Sequence, residues 1–338
     1  MLELDGSGGG GQLLRSALAL SALEGTAFRM TGIRAARPEP GLKPQHLGAV
    51  ELLADVCDAE VSDCGTGTTE LQFRPGAVQP GRYTADIGTA GSVALLFDAV
   101  LPLATALDAP LSVTATGGTE VKWSPTTAHY RGTKLRLLRA HGVGAALERD
   151  RPGFYPVGGG RTTLHLFPSD PSPLALTDRG ENEGAGVRSL AAERLADASV
   201  ADRQAAAAVE ALEAVDITVA SRSVAYAATA CPGSAVTVRL GYENTVAGFD
   251  ALGERGTPAE EIAGRAVDAA TAFAEGSAAV DRHTADQLLP FLAIAGGEVR
   301  IPEVTDHVAT ARDLLERFGY ELSLRGDGDA AVASADTT

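Results

Sequence analysis

His307 lies in EVTDHVATAR, at the start of the last segment with helical spacing. At a helix N-terminus the partial positive charge disfavours imidazolium, so the ring is kept neutral and nucleophilic. Attack by such a ring on an α-phosphate would form a phosphoramidate and split one hard transfer into two easier ones. The residue alone also admits a packing histidine, as do His283, His129, His141 and His165. A second candidate is the loop Asp5-Gly6-Ser7-Gly8-Gly9-Gly10-Gly11, between a short strand and a helix. Such a backbone can approach phosphate closely. It satisfies GxGxxG at Gly6, Gly8 and Gly11, but a run of glycines satisfies almost any glycine pattern. No acidic residue closes a second strand about 20 residues on, and no Gly-Lys-Ser/Thr follows. A purely structural turn stays open. In RAARPEPGLKPQH, Pro38, Pro40 and Pro44 stiffen the chain, so Arg37 and Lys43 are preset in position and Gln45 and His46 open a helix. A plain solvated loop is the competing reading. Trp123, beside Lys122 in a polar loop, either stacks on a base or packs beneath its own loop.

The elements that must position these residues repeat. GGQLLRSALALSALEG, FRMTGIR and QHLGAVELLADVCDAEV form one set. AGSVALLFDAVLPLATAL, LSVTATG and HYRGTKLRLLRAHGVGAAL form the second; ADQLLPFLAIAGG, EVRIPEV and DHVATARDLLERFGYELSL form the third. Each reads helix, strand, loop, helix, strand, at a spacing of roughly 80 residues. The third copy is displaced. Residues 183–275 read as helix, strand, strand, helix, a small α/β domain inserted into a larger one made of 1–182 plus 276–338. The insert is expected to contribute no contacts to the site. Helix starts at Gly11-Gln12, Gly91-Ser92 and Asp286-Gln287 align. If the copies are related by pseudo-threefold rotation, these N-termini converge on a region suited to phosphate. The tail after Arg325 is small and polar and is expected to be loose.

Acidic residues outnumber basic ones 44 to 28, a formal charge of −16. That argues against nucleic-acid binding by bulk charge and leaves room for a local basic pocket. Only Lys43, Lys122 and Lys134 are lysines; the other basic residues are arginines. An acidic, Ala-rich, Lys-poor surface suits a salt-rich host, though a GC-rich genome favours the same residues. Met1 runs almost directly into the glycine loop, so no signal peptide is expected. The apolar stretch from Ser92 to Val113 is broken by Asp98, Pro102 and Asp108, which excludes a membrane span. Cys57, Cys64 and Cys231 form no CxxC, consistent with a reducing cytoplasm.

The runs IRAARPEPGLKPQHL, DIGTAGSVALL, GGTEVKWSP, GFYPVGGGR, ALGERGTPAEE and ADQLLPFLAIAGG, followed by His307, resemble the RNA 3′-terminal phosphate cyclase family in its archaeal form. They extend from residue 4 to about 318 in family order. The resemblance implies an α/β fold of three βαβαββ repeats in pseudo-threefold arrangement. It also implies a small inserted α/β domain like the C-terminal domain of a translation initiation factor. The implied activity is ATP-dependent conversion of an RNA 3′-terminal phosphate to a 2′,3′-cyclic phosphate, through a histidine-AMP and then an RNA-adenylate. Mg²⁺ or Mn²⁺ would assist, with ligands unknown. By motif, His307 would be the nucleophile. His283, Thr284, Ala285, Asp286 and Gln287 would bind the adenylate, with Asp98, Gly9, Gly10 and Gly11 lining the nucleotide site. Arg15, Arg37 and Lys43 would hold the RNA phosphate.

Two departures stand out. The family's DGSxGEGGGQ is here DGSGGGGQ, lacking the glutamate, for which Asp5 is a possible substitute. Asp98 stands where a glutamine is usual; a carboxylate cannot donate as an amide does. The simpler reading of Asp98 is a solvated, drifted carboxylate; the other is a relocated metal ligand. The competing functions are a non-catalytic relative acting as an RNA or ribosome-assembly factor and, by fold analogy alone, an enolpyruvyl transferase.

Overall fold

The structure, a computed structural model, describes residues 1–336. The first unit runs β1 (Leu2–Asp5), α1 (Gly11–Glu24), β2 (Phe28–Thr31), α2 (Pro44–Cys57), β3 (Glu60–Val61) and β4 (Leu71–Arg74). Local chemistry sets its boundaries. Gly25, in the left-handed region at φ 61°, ends α1, and Pro44 opens α2 where its missing N–H costs no hydrogen bond.

The second unit runs β5 (Gly81–Asp86), α3 (Val93–Val100), β6 (Leu111–Gly117), α4 (Thr127–His129), α5 (Leu135–Ala140), β7 (Ala145–Arg151) and β8 (Gly160–Leu166). A π-helical turn, Tyr130–Lys134, joins α4 to α5. The third unit opens with β9 (Leu174–Leu176) and then departs through β10 (Asn182–Ala192), α6 (Val200–Glu213), β11 (Val219–Ala227), β12 (Ser234–Tyr242), β13 (Val246–Leu252) and α7 (Ala259–Glu275). It resumes with α8 (Arg282–Ala295), β14 (Gly297–Ile301), α9 (Asp306–Arg317), β15 (Ser323–Asp327) and β16 (Ala330–Ala335).

Three sheets share one plan: β1-β2-β4-β3, β5-β6-β8-β7 and β9-β14-β16-β15. In each, the first pair is parallel and the other two are antiparallel. A parallel first pair needs a helical crossover, which α1, α3 and α8 supply. The fourth sheet, β11-β10-β12-β13, has a different order. One apolar core joins the three like sheets, including Leu18, Leu53, Phe97, Leu288 and Leu315, while α6 and α7 cover the fourth with a separate cluster around Val236, Val238 and Ile262. Each such side chain contributes about 1.5–3 kcal/mol on burial.

Helix α1 packs against α2, α3 and α9. It is accordingly apolar almost all round, with Leu14, Leu18 and Leu20 buried along it. This brings the glycine loop at its start to the start of α9.

Three sequence expectations are corrected. Helix α8 begins at Arg282, a turn before Asp286, because the Asp281 carboxylate accepts from the N–H groups of His283 and Thr284 and caps it. Up to Ala335 the tail forms a hairpin in which β16 pairs with both β14 and β15; residues 337–338 lie outside the described residues. The excursion also holds two further strands, β10 and β13, and it touches the rest of the chain outside the predicted site residues. Asp250 accepts from the Thr126 N–H and hydroxyl at 2.9 Å, and the Gly248 N–H donates to Asp281 at 3.2 Å. The residues that fix α8's first turn are therefore tied to β13.

Candidate active site

The glycine loop is fixed from below. The Asp5 carboxylate accepts from the Ser7 N–H at 2.8 Å, and the Gly6 N–H donates to the Thr31 carbonyl at 2.7 Å. The Ser7 hydrogen bonds hold Asp5 below the usual carboxylate range. Gly11 is required for space, and Gly10 leaves two side chains close together. A Cβ on Gly11 would lie 2.0 Å from His46 Nε2, and one on Gly10 would lie 3.2 Å from an Arg37 guanidinium nitrogen and 3.8 Å from His307 Cε1. Gly10 thus sits between Arg37 and His307, which are about 270 positions apart in the chain.

His307 lies in the first turn of α9, whose cap is the Thr305 hydroxyl, accepting from the Val308 N–H at 3.2 Å. Its side chain is exposed. Partial loss of water against the loop, then the charges of Arg37 and Arg15, push its pKa below the ordinary value, against the pull of Asp306. The ring is neutral at neutral pH.

His46 is missing from the sequence-derived site. Its Nδ1 accepts from the Lys43 N–H at 3.1 Å, so the ring proton of the neutral form is on Nε2, facing Gly11. Burial, with Arg15, Arg34 and Lys43 nearby, pushes its pKa down to about 3. The signal was the Gln-His pair opening the helix. His46 is a permanently neutral prop beneath the loop.

Arg15 is buried in α1, and its Nε has no hydrogen-bond partner among the described residues. A buried donor left unsatisfied costs about 1–3 kcal/mol. A guanidinium beside Gly11 that is short of one hydrogen-bond partner suits a polyanion such as the phosphates of ATP. Lys43, by contrast, is paired with Glu39. That exposed pair is screened by solvent and is easily surrendered to a stronger anion.

Asp98 is not solvated: its side chain is 12 % exposed and lies 2.5 Å from Nζ of Lys134, which is 2 % exposed. Lys134 also lies 5.2 Å from the centroid of the buried Tyr130 ring. The wide π turn carries Tyr130 and Lys134 together, a placement the sequence does not announce. Asp286 faces the same group. Burial pushes it up to about 6, with Lys134 and His283 pulling it down and Asp98 pushing it up.

The predicted adenylate segment divides in two. Thr284 and Ala285 are buried; the Thr284 hydroxyl donates to Asp281 at 2.7 Å. Their side chains face the protein interior from α8's first turns. His283 is exposed, and Asp286 and Gln287 are half-buried. Trp123 is 93 % exposed, which removes packing beneath its loop.

Among the described residues no group of three or more His, Cys, Asp or Glu side chains is placed to hold a metal ion. Asp5 is committed to Ser7 and Asp98 to Lys134. The donor set does not fit a resident Mg²⁺ or Mn²⁺ site. No helix among the described residues is long and apolar enough to cross a membrane.

The like-ordered sheets, joined by one core, define an α/β protein of repeated units. The sequence profile of the RNA 3′-terminal phosphate cyclases matches residues 7–321. A protein of Halobacterium salinarum named RNA 3′-terminal phosphate cyclase is 46 % identical, covering 98 % of this chain and 99 % of its own length. Proteins of the same name from Methanopyrus kandleri and Pyrococcus furiosus are 39 % and 36 % identical, covering 98 % and 96 % of this chain and 97 % and 96 % of their own. The chain belongs to the RNA 3′-terminal phosphate cyclase family.

Proposed function

We propose that the chain converts an RNA 3′-terminal phosphate to a 2′,3′-cyclic phosphate with ATP, through AMP carried on His307. The observation that supports this most is the neutral His307 ring beside bare Gly10 and the Arg37 guanidinium, with the unsatisfied Arg15 nearby. The imidazole nitrogen attacks the α-phosphorus; a P–N bond forms, and pyrophosphate leaves with the electrons of the broken P–O bond. An RNA 3′-phosphate oxygen then displaces the imidazole, giving a P–O–P anhydride. Finally the vicinal 2′-oxygen attacks the activated phosphorus and expels AMP, losing its proton. That hydroxyl is covalently adjacent, so it reacts at high effective molarity. Arg15 and Arg37 face the negative oxygens in every step, with Lys43 available at the rim. His283, Asp286 and Gln287 would line the adenylate. A non-catalytic assembly factor needs none of this.

In this reading 1–182 plus 276–338 form the catalytic body and 183–275 the inserted domain. The enzyme works in the cytoplasm, where its free Cys57, Cys64 and Cys231 stay reduced. Incubation with α-labelled ATP tests the first step, and a 3′-phosphorylated RNA tests the rest. Label in an acid-labile protein adduct and a cyclic-phosphate RNA end are expected; absence of both from folded protein would sink the proposal.

The lowered His307 pKa has a kinetic sign. The neutral ring reacts, so a lower pKa keeps the nucleophile available at lower pH. Self-adenylation should fall on the acid side with a midpoint below about 6.5. Arg37→Gln removes a cation that opposes protonation, so the midpoint should move up. A wild-type midpoint at or above the free-histidine value would contradict the assigned environment.

The charge of −16 is also read here as adaptation to a salt-rich cell. Raising KCl from about 0.1 to 1 M shortens the screening length from about 10 to 3 Å. Tm should rise, because like-charge repulsion then weakens more than the scattered surface pairs do. A falling Tm would remove that reading.

A further inference from the structure

A second basic site lies away from His307, where the second unit meets the excursion. One wall is the segment around Glu120 to Arg131 together with β7; the other is the open face of the β10–β13 sheet, carrying Arg188. The groove has a volume of about 150 Å³. That is ample room for a phosphate group.

Arg131, Arg149 and Arg188 all line it. Arg149 lies 3.5 Å from Glu120, whereas Arg131 and Arg188 make no ion pair among the described residues. Glu120 is 2 % exposed; its Oε2 accepts from the Thr127 N–H at 3.2 Å, and its Oε1 is buried without a hydrogen-bond partner. Burial pushes Glu120 up to about 7, against Arg149. The cluster is therefore short of negative charge in a chain with a large excess of it. Burial, then Arg131 and Arg149, lower the Arg188 pKa, so the cations repel one another. An anion between them would relieve that repulsion.

The loop between Glu120 and Thr126, both of which line the groove, points to the kind of anion. Trp123, the single tryptophan, is 93 % exposed on the loop that follows Glu120 and is held at φ 61°, an unusual conformation for a bulky residue. Lys122 pairs with Glu254 at 2.7 Å and fastens this loop to the excursion. A β-bridge between Glu120 and Phe154 brings the neighbouring loop alongside, with Tyr155 75 % exposed. Free phosphate has no use for an exposed indole. A single-stranded nucleic acid does, because every base can stack on it.

We propose that this groove binds a backbone phosphate of the RNA upstream of its 3′ end, with Trp123 stacking on an adjacent base. The proposal rests on the reading of RNA as substrate. The shared chemistry is a phosphate group, and the test separates the RNA-borne group from the free ion.

The variants are Arg131→Gln/Arg188→Gln and Trp123→Ala, in the full chain. Fluorescence anisotropy gives Kd for a dinucleotide and for a long single-stranded RNA, both 3′-phosphorylated. Self-adenylation with ATP alone is followed separately. The double arginine variant should raise Kd for the long RNA about tenfold at low salt and lower the log–log salt slope by about 1–2, leaving the dinucleotide Kd unchanged. Trp123→Ala should raise the long-RNA Kd about fivefold or more and leave polyphosphate binding unchanged. Self-adenylation should be the same in all three proteins. Equal losses for both RNAs, or no loss for either, overturn the proposal. So does inorganic phosphate binding that the arginine variant abolishes while long-RNA Kd stays constant. Loss of self-adenylation in wild type would instead refute the catalytic reading, and the anisotropy would still report on the groove.

Discussion

His307→Asn lowers self-adenylation by about 10⁴-fold or more, because a nucleophile has no partial substitute. Stability should change by no more than about 0.5 kcal/mol, as for other exposed positions. The structural grounds are specific. His307 is exposed, and the cap of α9 is Thr305, so Asn leaves both the core and the helix start intact. Asn is also preferable to Ala in the variant because it keeps a polar group beside Arg37. His283 is the natural control. It too is an exposed histidine in the first turn of a helix, α8. His283→Asn should retain the adduct and raise only the ATP concentration needed to form it. The paired measurement is covalent label per protein from α-labelled ATP, with Tm read on the same samples. Label surviving in His307→Asn while vanishing in His283→Asn would transfer the nucleophile to α8.

Much of this site was legible because local chemistry encodes it. A glycine run between strand and helix, and a histidine at the start of the last helical segment, are short-range patterns; the structure brings them together through α1 packed on α9. Lys134 and Tyr130 were not legible. Their partner Asp98 is 36 positions from Lys134, and nothing in either segment specifies the pairing. A carboxylate in a polar-looking place reads as solvated unless its cation is known. The start of α8 was misplaced because Ala285-Asp286-Gln287 matches the other helix starts in type, whereas the carboxylate that satisfies the free N–H groups belongs to Asp281. The terminal hairpin was missed for a different reason. Its residues are small and polar, yet β16 is an interior strand whose Ala331, Val332 and Ala333 are buried. Its turn signal, Gly-Asp at Gly328-Asp329 with Gly328 at φ 66°, was present in the chain.

Asp98→Asn should destabilise the fold, by less than the about 3–5 kcal/mol of a buried charge left wholly unpaired, because Asp286 also faces Lys134. Lys134 is the more deeply buried member and cannot reach water without moving α5 or Tyr130. Lys134→Met/Asp98→Asn together should come within about 1–2 kcal/mol of wild type, since an apolar side chain of similar length removes the charge as well as the partner. The single and double variants therefore form a cycle whose coupling identifies the pair. A second readout is independent of stability. Asp98 pushes the Asp286 pKa up and Lys134 pulls it down. Removing Asp98 takes away the push and frees Lys134 for Asp286, so the Asp286 pKa should fall from about 6. The same substitution leaves Arg15 with one fewer carboxylate nearby, which favours binding of a polyanion. ATP affinity should hold or improve in whatever fraction remains folded, and the Mg²⁺ or Mn²⁺ concentration needed for half-maximal labelling should not change. A metal requirement that rises in Asp98→Asn, at unchanged Tm, would show that Asp98 serves a cation other than Lys134.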